Sequence, residues 1–259
     1  MPSSREPFQP EEVALLLGRL FRLYISYAPY SFLFEWLEKT PDLEVRCRDA
    51  TGEKVLFTTS PELLKAIHEC ERVTAPEKFP GLPSDWGLYG PLFRQLYSEM
   101  ITGIKGVQVL CPHQNHWTFI VRDHSCAHDM GQKGDRYILK GELLATTSIF
   151  YHQMNKMVWL PDKDRYTAKL RYQGGLLTAT IVTFTHGKVR IVQATIKPSE
   201  KHPTLNLILR AIYTLNNANY DKKVAFDVLK WILDPPQAEP ETEFKSTETA
   251  QKLPERVKK

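Results

Sequence analysis

The chain has 259 residues, of which 42% are hydrophobic, and its formal net charge is +4. This length allows a substantial core, and we expect one domain over residues 10–236, with a flexible N-terminus before it and a disordered tail over 237–259. The most apolar stretch is interrupted by Arg19, Arg22 and Pro29, which excludes a membrane-spanning helix. Four irregularly spaced cysteines exclude a disulfide scaffold and favour a reducing compartment.

The N-terminal part predicts helices and a hairpin. Residues 10–27 carry apolar side chains at helical spacing, and Pro10 suits the first helical position. A second, short helix is predicted over 30–39. Residues 43–59 alternate in polarity about a glycine turn, which is typical of a β-hairpin, and Ser60 is predicted to cap a helix over 60–73.

The middle of the chain predicts a loop, a helix and two strands. Residues 74–91 are rich in proline and glycine and predict a long surface loop, and a helix is predicted over 91–102. The strands are predicted over 105–111 and 116–123. Residues 137–160 are ambiguous between strand and helix, because their apolar residues recur without one clear period.

The C-terminal part predicts three strands, over 165–172, 176–185 and 188–196, joined by glycine turns into an antiparallel meander. Helices are predicted over 203–217 and 222–233. The predicted class is therefore α+β, with a mainly antiparallel sheet, a C-terminal meander and flanking N- and C-terminal helices.

Positive charge is concentrated in one part of the sequence. Residues 165–230 hold eleven Lys and Arg against Glu200, Asp221 and Asp227, a surplus of +8. A basic segment favours acidic partners, including nucleic acid, and it also occurs as the solvated face of a slightly basic domain. Both interpretations remain open from the sequence.

Residues 111–129 hold half of the eight histidines and half of the four cysteines. They fall into two groups, Cys111 with His113 before the predicted strand, and His124 with Cys126 and His128 after it. At about 3.3 Å per residue, an extended strand separates Cys111 and His124 by roughly 20 Å, so one site cannot take both groups.

The second group is the better candidate for a metal. His124, Cys126 and His128 could bind a structural zinc ion, with Cys70 or His68 as the fourth ligand. The spacing matches no standard zinc finger, and the alternative is a set of solvent-facing histidines near buried, unliganded cysteines.

A thiol hydrolase is a further hypothesis, with His116 as base and Asp123 as the group that orients it. Such a histidine needs a cysteine at a helix N-terminus, where the helix dipole lowers the thiol pKa. The predicted elements place Cys70 near a helix C-terminus, Cys47 in a strand and Cys126 in a loop. No residue is therefore proposed as catalytic.

Five segments in order resemble the adenoviral early region 4 34 kDa protein family. The first has a Ser-Tyr pair and an apolar run ending Glu-Trp over 25–36, and the second is a helix over 56–70. The third contains Trp117, its strand and the His/Cys cluster over 116–128. The fourth is an apolar run ending Asn-Lys-Met-Val-Trp over 141–159, and the fifth is an amphipathic segment over 204–215. Together they cover about half the chain.

The resemblance implies a non-enzymatic adapter. Proteins of that family recruit host elongin and a cullin to build a ubiquitin ligase, bridge to another viral early protein and direct the degradation of host defence proteins. The resemblance also implies a place in the host nucleus and cytoplasm.

The resemblance implies zinc ligands and a partner-binding helix as well. The family's Cys/His ligation carries over to at most seven residues, namely His68, Cys70, His113, His116, His124, Cys126 and His128. An elongin-binding helix would use Leu207, Ala211 and Leu215. This chain departs from the family in two ways. It has only four cysteines, and Arg210 is the only arginine in its late segment, which is arginine-rich in the family.

Overall fold

The computed structural model describes residues 8–40, 42–57, 61, 64–65, 103–125, 136–215 and 220–237. The first part contains helix α1 (Pro10–Ser26), strand β1 (Ser31–Leu33), the short helix α2 (Phe34–Leu37) and strand β2 (Glu44–Asp49). The later elements are β3 (Ile104–His113), β4 (His116–Asp123), β5 (Tyr137–Leu139), α3 (Lys140–Met154), β6 (Asn155–Leu160), β7 (Arg165–Leu170), β8 (Leu177–Thr185), β9 (Lys188–Ile196), β10 (Thr204–Thr214) and α4 (Lys222–Leu233). The predicted α+β class is confirmed.

A six-stranded sheet forms the centre, in the order β2-β10-β9-β8-β4-β3. The pairs β10–β9, β9–β8 and β4–β3 are antiparallel, whereas β2–β10 and β4–β8 are parallel. The predicted strands over 165–172, 176–185 and 188–196 are confirmed. The meander is shifted by one strand, however, because β7 pairs with β6 and the meander runs β8-β9-β10.

Helices cover both faces of this sheet. Side chains of α1 and α3 share one core cluster with one face of the strands, and α4 shares a second cluster with the other face. Ile181 and Val182 of β8 therefore belong to different clusters, although they are neighbours in sequence. Every residue of β8 except Phe184 is buried, and its threonines occupy buried positions between the apolar residues.

Residues 137–160 resolve into β5, α3 and β6. Every residue of α3 except Tyr151 is buried, because the helix lies between α1 and the sheet. A helix that is buried all round shows no single apolar stripe. This burial is the physical reason for the ambiguous pattern.

The helix predicted over 203–217 is wrong, since the chain forms β10 there. Leu205, Leu207 and Leu209 are fully buried, and the residues between them are half-buried, which is the period of two expected for a strand. A bulge between Leu209 and Ala211 shifts this alternation. Because the bulge changes which residues face the core, the apolar residues of this segment also fit the spacing of a helix.

The predicted N-terminal hairpin is also wrong. β2 pairs in parallel with β10, and residues 53–57 form no strand. Within the predicted helix over 30–39, residues Ser31–Leu33 form β1 and only Phe34–Leu37 are helical. The helices over residues 10–27 and 222–233 are confirmed.

Several predictions fall outside the described residues, namely the loop over 74–91, the helix over 91–102 and the tail over 238–259. Of the predicted helix over 60–73, positions 61, 64 and 65 are described, and all three are helical. Among the helices of the described ranges, none is long and apolar enough to cross a membrane.

Candidate functional site

The candidate site lies at the turn between β3 and β4. His113 pairs with His116, so the connection is the two residues Gln114 and Asn115. The parallel pairing of β4 with β8 brings Asn115 to the start of β8, where its carbonyl accepts a hydrogen bond from the Thr178 amide at 2.7 Å. The turn is therefore fixed against the sheet.

His116 is buried at the start of β4, with 4% of its surface exposed. Its Nε2 hydrogen-bonds to the Thr180 hydroxyl at 2.8 Å, and its Nδ1 has no hydrogen-bond partner. Burial, helped by the nearby His113, lowers the pKa of His116 to about 4. The ring is therefore neutral at physiological pH.

A cavity of about 630 Å³, here called the turn pocket, lies beside this turn. It is bounded by the turn, the C-terminal end of α3 and the segment that follows β7. No Asp or Glu is among the described residues that line it. Cys111, Asn115, Trp117, Gln153 and Arg171 provide a thiol, two amides, an indole and a guanidinium.

Gln153 and Arg171 give the turn pocket its polar character. Gln153 is only 5% exposed, and its Nε2 donates to the Thr178 carbonyl at 3.1 Å, while its Oε1 has no hydrogen-bond partner. The Arg171 Nε donates to the Gln153 carbonyl at 3.1 Å, and its guanidinium lies 5.5 Å from the centre of the Trp117 ring. The pocket thus combines a buried acceptor with a cation held on an aromatic ring.

The described cysteines do not provide an activated thiol. Desolvation raises the pKa of Cys111 to about 11, and the opposing influence of Arg171 is weaker. Burial, followed by the charge of Glu38, raises the pKa of Cys47 to about 12. Both thiols are protonated at neutral pH, whereas a nucleophilic cysteine needs a lowered pKa.

Asp123 does not orient His116. The two residues lie at opposite ends of the eight-residue β4, roughly 23 Å apart at about 3.3 Å per residue. Asp123 accepts hydrogen bonds from the amide and hydroxyl of Ser125 and from the Gly141 amide. A Cβ at Gly141 would lie 2.6 Å from the Asp123 carboxylate, so this contact requires glycine. The predicted role of Asp123 is wrong.

Of the predicted metal ligands, His124 is described and Cys70, Cys126 and His128 lie outside the described residues, as does His68. The His124 ring lies 5.1 Å from that of His186, and the His124 carbonyl is 3.0 Å from the His186 Nε2. Burial, then His186 and Arg122, lowers the pKa of His124. No group of three or more metal-binding side chains occurs within the described ranges, and zinc at His124 stays a prediction.

Sequence reasoning missed His186. It lies in the turn between β8 and β9 with a φ of 29°, and its only sequence signal is the following glycine, which marks a turn. Its proximity to His124 depends on the parallel pairing of β4 with β8, which no local pattern predicts.

The predicted partner-binding residues do not form a helical face. Leu207 is fully buried in β10, Ala211 is half-buried beside the second core cluster, and Leu215 follows the strand with its amide bonded to the Gly187 carbonyl at 3.0 Å. A strand inside the sheet cannot enter a partner's groove as a helix does. The prediction that these residues bind a partner's groove as a helix is therefore wrong.

The segment over 165–230 is not one basic face. Arg190 is 1% exposed and forms a bidentate ion pair with Glu142, with N–O distances of 2.8 and 3.3 Å. Arg210 donates two hydrogen bonds to the Gln193 side chain. The positive charges of this segment are therefore divided between the interior and separate surfaces.

An apolar surface lies where α1 ends and α2 begins. The Trp36 ring is 5.3 Å from Tyr27 and 4.9 Å from Phe32. Leu33 and Trp36 are 39% and 41% exposed. We call Tyr27, Phe32, Leu33 and Trp36 the aromatic patch, in which Phe32 is buried and Leu33 and Trp36 carry the exposed area.

Comparisons with protein-family models, curated proteins and solved structures found no match for this chain.

Proposed function

We propose that the protein is a viral early-region adapter that recruits a host elongin and cullin ubiquitin ligase and directs host proteins to degradation. The resemblance of five segments to the adenoviral early region 4 34 kDa family supports this function. The observation that carries the proposal is the aromatic patch, because it lies within residues 25–36, the first of those segments.

Two resembling segments lie next to each other in the fold, which supports a common recruiting surface. Lys140, which precedes the segment over 141–159, donates hydrogen bonds from Nζ to the carbonyls of Ile25 and Tyr27 at 2.9 and 2.6 Å. β1 also pairs with β5, the strand that leads into α3. The position of the aromatic patch is therefore fixed by the residues that lead into the segment over 141–159.

The chemistry of the aromatic patch suits a protein partner. Tryptophan and tyrosine are enriched among the residues that dominate protein–protein binding energy. Leu33 and Trp36 would contribute apolar area to such a contact, and the charged residues around them would form its rim. In this proposal the aromatic patch replaces the predicted helix at Leu207, Ala211 and Leu215 as the recruiting element.

The proposal is tested by the affinity of the full chain for purified elongin, measured by surface plasmon resonance. Leu33→Lys should weaken binding by about tenfold or more, because it places a charge in an apolar contact. Leu15→Lys is the matched control, since Leu15 is 60% exposed on α1. The control should bind like the native chain, and both variants should melt close to it.

Two results would contradict the proposal. One is a native chain that does not bind elongin, and the other is a Leu33→Lys variant that binds as tightly as the control. A ubiquitylation assay with the cullin complex would then show whether binding assembles an active ligase, as the proposal requires.

A further inference from the structure

A two-stranded ribbon lies beside the turn pocket. It consists of β6 and β7, here called the basic arm, and within the described ranges it pairs with no strand of the six-stranded sheet. Lys156 and Lys169 are direct partners in its register, and both are exposed. Like charges directly opposite each other repel, so this pair favours a bound anion.

The same face of the arm leads into the turn pocket. The Arg171 amide donates to the Met154 carbonyl at 2.8 Å, which continues the β6–β7 pairing by one residue. Side chains two residues apart on an extended chain share a face, so Arg171 lies on the face of Lys169. Arg171 also lines the turn pocket. Three cations therefore lead from the arm to the turn pocket, which Gln153 also lines.

These groups define the chemistry of the ligand. The three cations require an anionic chain, and the buried Gln153 Oε1 requires a hydrogen-bond donor. The Arg171 guanidinium on Trp117 offers a planar surface on which an aromatic ring can stack. A nucleotide supplies all three features, because it joins a phosphate to a flat base and every base carries an N–H donor on its pairing edge.

The base must be unpaired to present that edge, which excludes a duplex. A pocket of about 630 Å³ lies within the range of small-ligand sites. An acidic peptide would satisfy the cations and would leave the planar surface unused. The combination therefore favours nucleic acid over an acidic protein.

We propose that the basic arm and turn pocket bind single-stranded nucleic acid. Phosphates lie on Lys156 and Lys169, and one base enters the turn pocket, stacks on Arg171 and donates a hydrogen bond to Gln153 Oε1. This site is independent of the aromatic patch and of the adapter function.

Fluorescence anisotropy of labelled twelve-nucleotide single strands tests the proposal with the full chain. Binding should be tighter to the single strand than to its duplex or to polyglutamate of equal charge. The two lysine–phosphate contacts on a single strand predict a slope of log affinity against log salt of about −1.4. Equal binding to polyglutamate would indicate an acidic protein partner and would overturn the proposal, as would absence of binding at low salt.

Variants separate the arm from the pocket. The double variant Lys156→Ala, Lys169→Ala should reduce the magnitude of the salt slope by about 1.4 and weaken binding by about tenfold at low salt. The control Lys188→Ala, Lys223→Ala removes the same charge at the start of β9 and at the start of α4, and should bind like the native chain. Equal losses in both doubles would indicate nonspecific attraction and would overturn the proposed site.

Arg171→Lys tests the base pocket without changing net charge. It removes the planar stacking surface, so affinity should fall about tenfold while the salt slope stays unchanged. Trp159→Ala, on the opposite face of the arm from Lys156, should leave binding unchanged. Native affinity in Arg171→Lys with a folded chain, or loss in Trp159→Ala alone, would show that the base does not bind in the turn pocket.

Discussion

Arg190 and Glu142 are the charged residues that the fold buries most deeply together. The Arg190 guanidinium also donates to the Tyr137 carbonyl at 2.7 Å and lies 4.5 Å from the centre of the Tyr137 ring. Glu142 accepts a further hydrogen bond from the Leu139 amide at 2.8 Å, at the start of α3. The pair therefore joins β9, β5 and α3 at one point.

Removing one charge of this pair should destabilise the protein strongly. Glu142→Gln leaves the Arg190 charge buried without its counterion, and we expect a loss of about 3 kcal/mol in the free energy of unfolding, measured with urea. Glu200→Gln is the control, because it breaks the half-exposed pair with Lys197. The control should lose less than about 0.5 kcal/mol, and equal losses in the two variants would contradict this account.

Neither partner of the buried pair could be identified from the sequence. Arg190 alternates with apolar residues in a strand, as an exposed arginine would, and Glu142 follows Leu139 by three residues, as a capping glutamate does. Their contact spans 48 residues. The contact between His186 and His124 could not be identified for the same reason, because the two residues come together only through the order of the strands in the sheet.

At the scale of elements, β10 has two different edges along its length. Residues Thr204–Leu209 pair with β2 on one side and Asn206–Leu209 pair with β9 on the other, whereas Ala211–Thr214 pair with β9 alone. Residues Asn206–Leu209 therefore have a strand partner on both sides. Beyond the bulge, the side that faced β2 has no strand partner within the described ranges.

Amide hydrogen exchange followed by NMR should reproduce this difference. We expect slow exchange at every amide from Asn206 to Leu209, and slow exchange at alternate amides from Ala211 to Thr214. A helix would instead protect consecutive amides, because its bonds lie within the segment. Consecutive protection of all amides from 211 to 214 would contradict the strand.

Local patterns predicted the elements whose burial is one-sided or whose termini carry clear signals. α1 begins at Pro10 with Glu12 bonded back to the Gln9 amide, and Asp221 caps α4 by accepting from the Lys223 amide. Local patterns failed to predict α3 and β10, because these two elements lie between other layers and are apolar on more than one side. The turn pocket was missed because Gln153 and Arg171 belong to segments that meet only after α3 docks on β4 and β8.

At the scale of the whole molecule, buried titratable groups determine how stability changes with pH. Burial lowers the pKa of His116 to about 4 and, with a smaller contribution from Arg171, that of His152 to about 3. Burial raises the pKa of Asp123. As the pH falls, the two histidines stay neutral to a lower pH in the folded chain than in the unfolded chain. The Asp123 carboxyl becomes protonated at a higher pH in the folded chain than in the unfolded chain.

The sign of the pH dependence follows from these directions. Above about pH 6.5 the two histidines are neutral in both the folded and the unfolded chain, so their full contribution is present. As the pH falls below 6.5, the unfolded chain takes up protons that the folded chain excludes, and stability decreases down to the folded pKa values. Protonation of Asp123 acts in the opposite direction and offsets part of this loss.

We therefore expect the free energy of unfolding to decrease between pH 6.5 and pH 4, with a contribution from His116 on the order of 3 kcal/mol. Urea unfolding at a series of pH values measures this dependence. His116→Gln should flatten it, whatever its effect on stability at pH 7, because glutamine does not titrate. His202→Gln, which changes an exposed histidine, should leave the slope unchanged. A native slope retained in His116→Gln would show that the pKa of this ring is not lowered by burial.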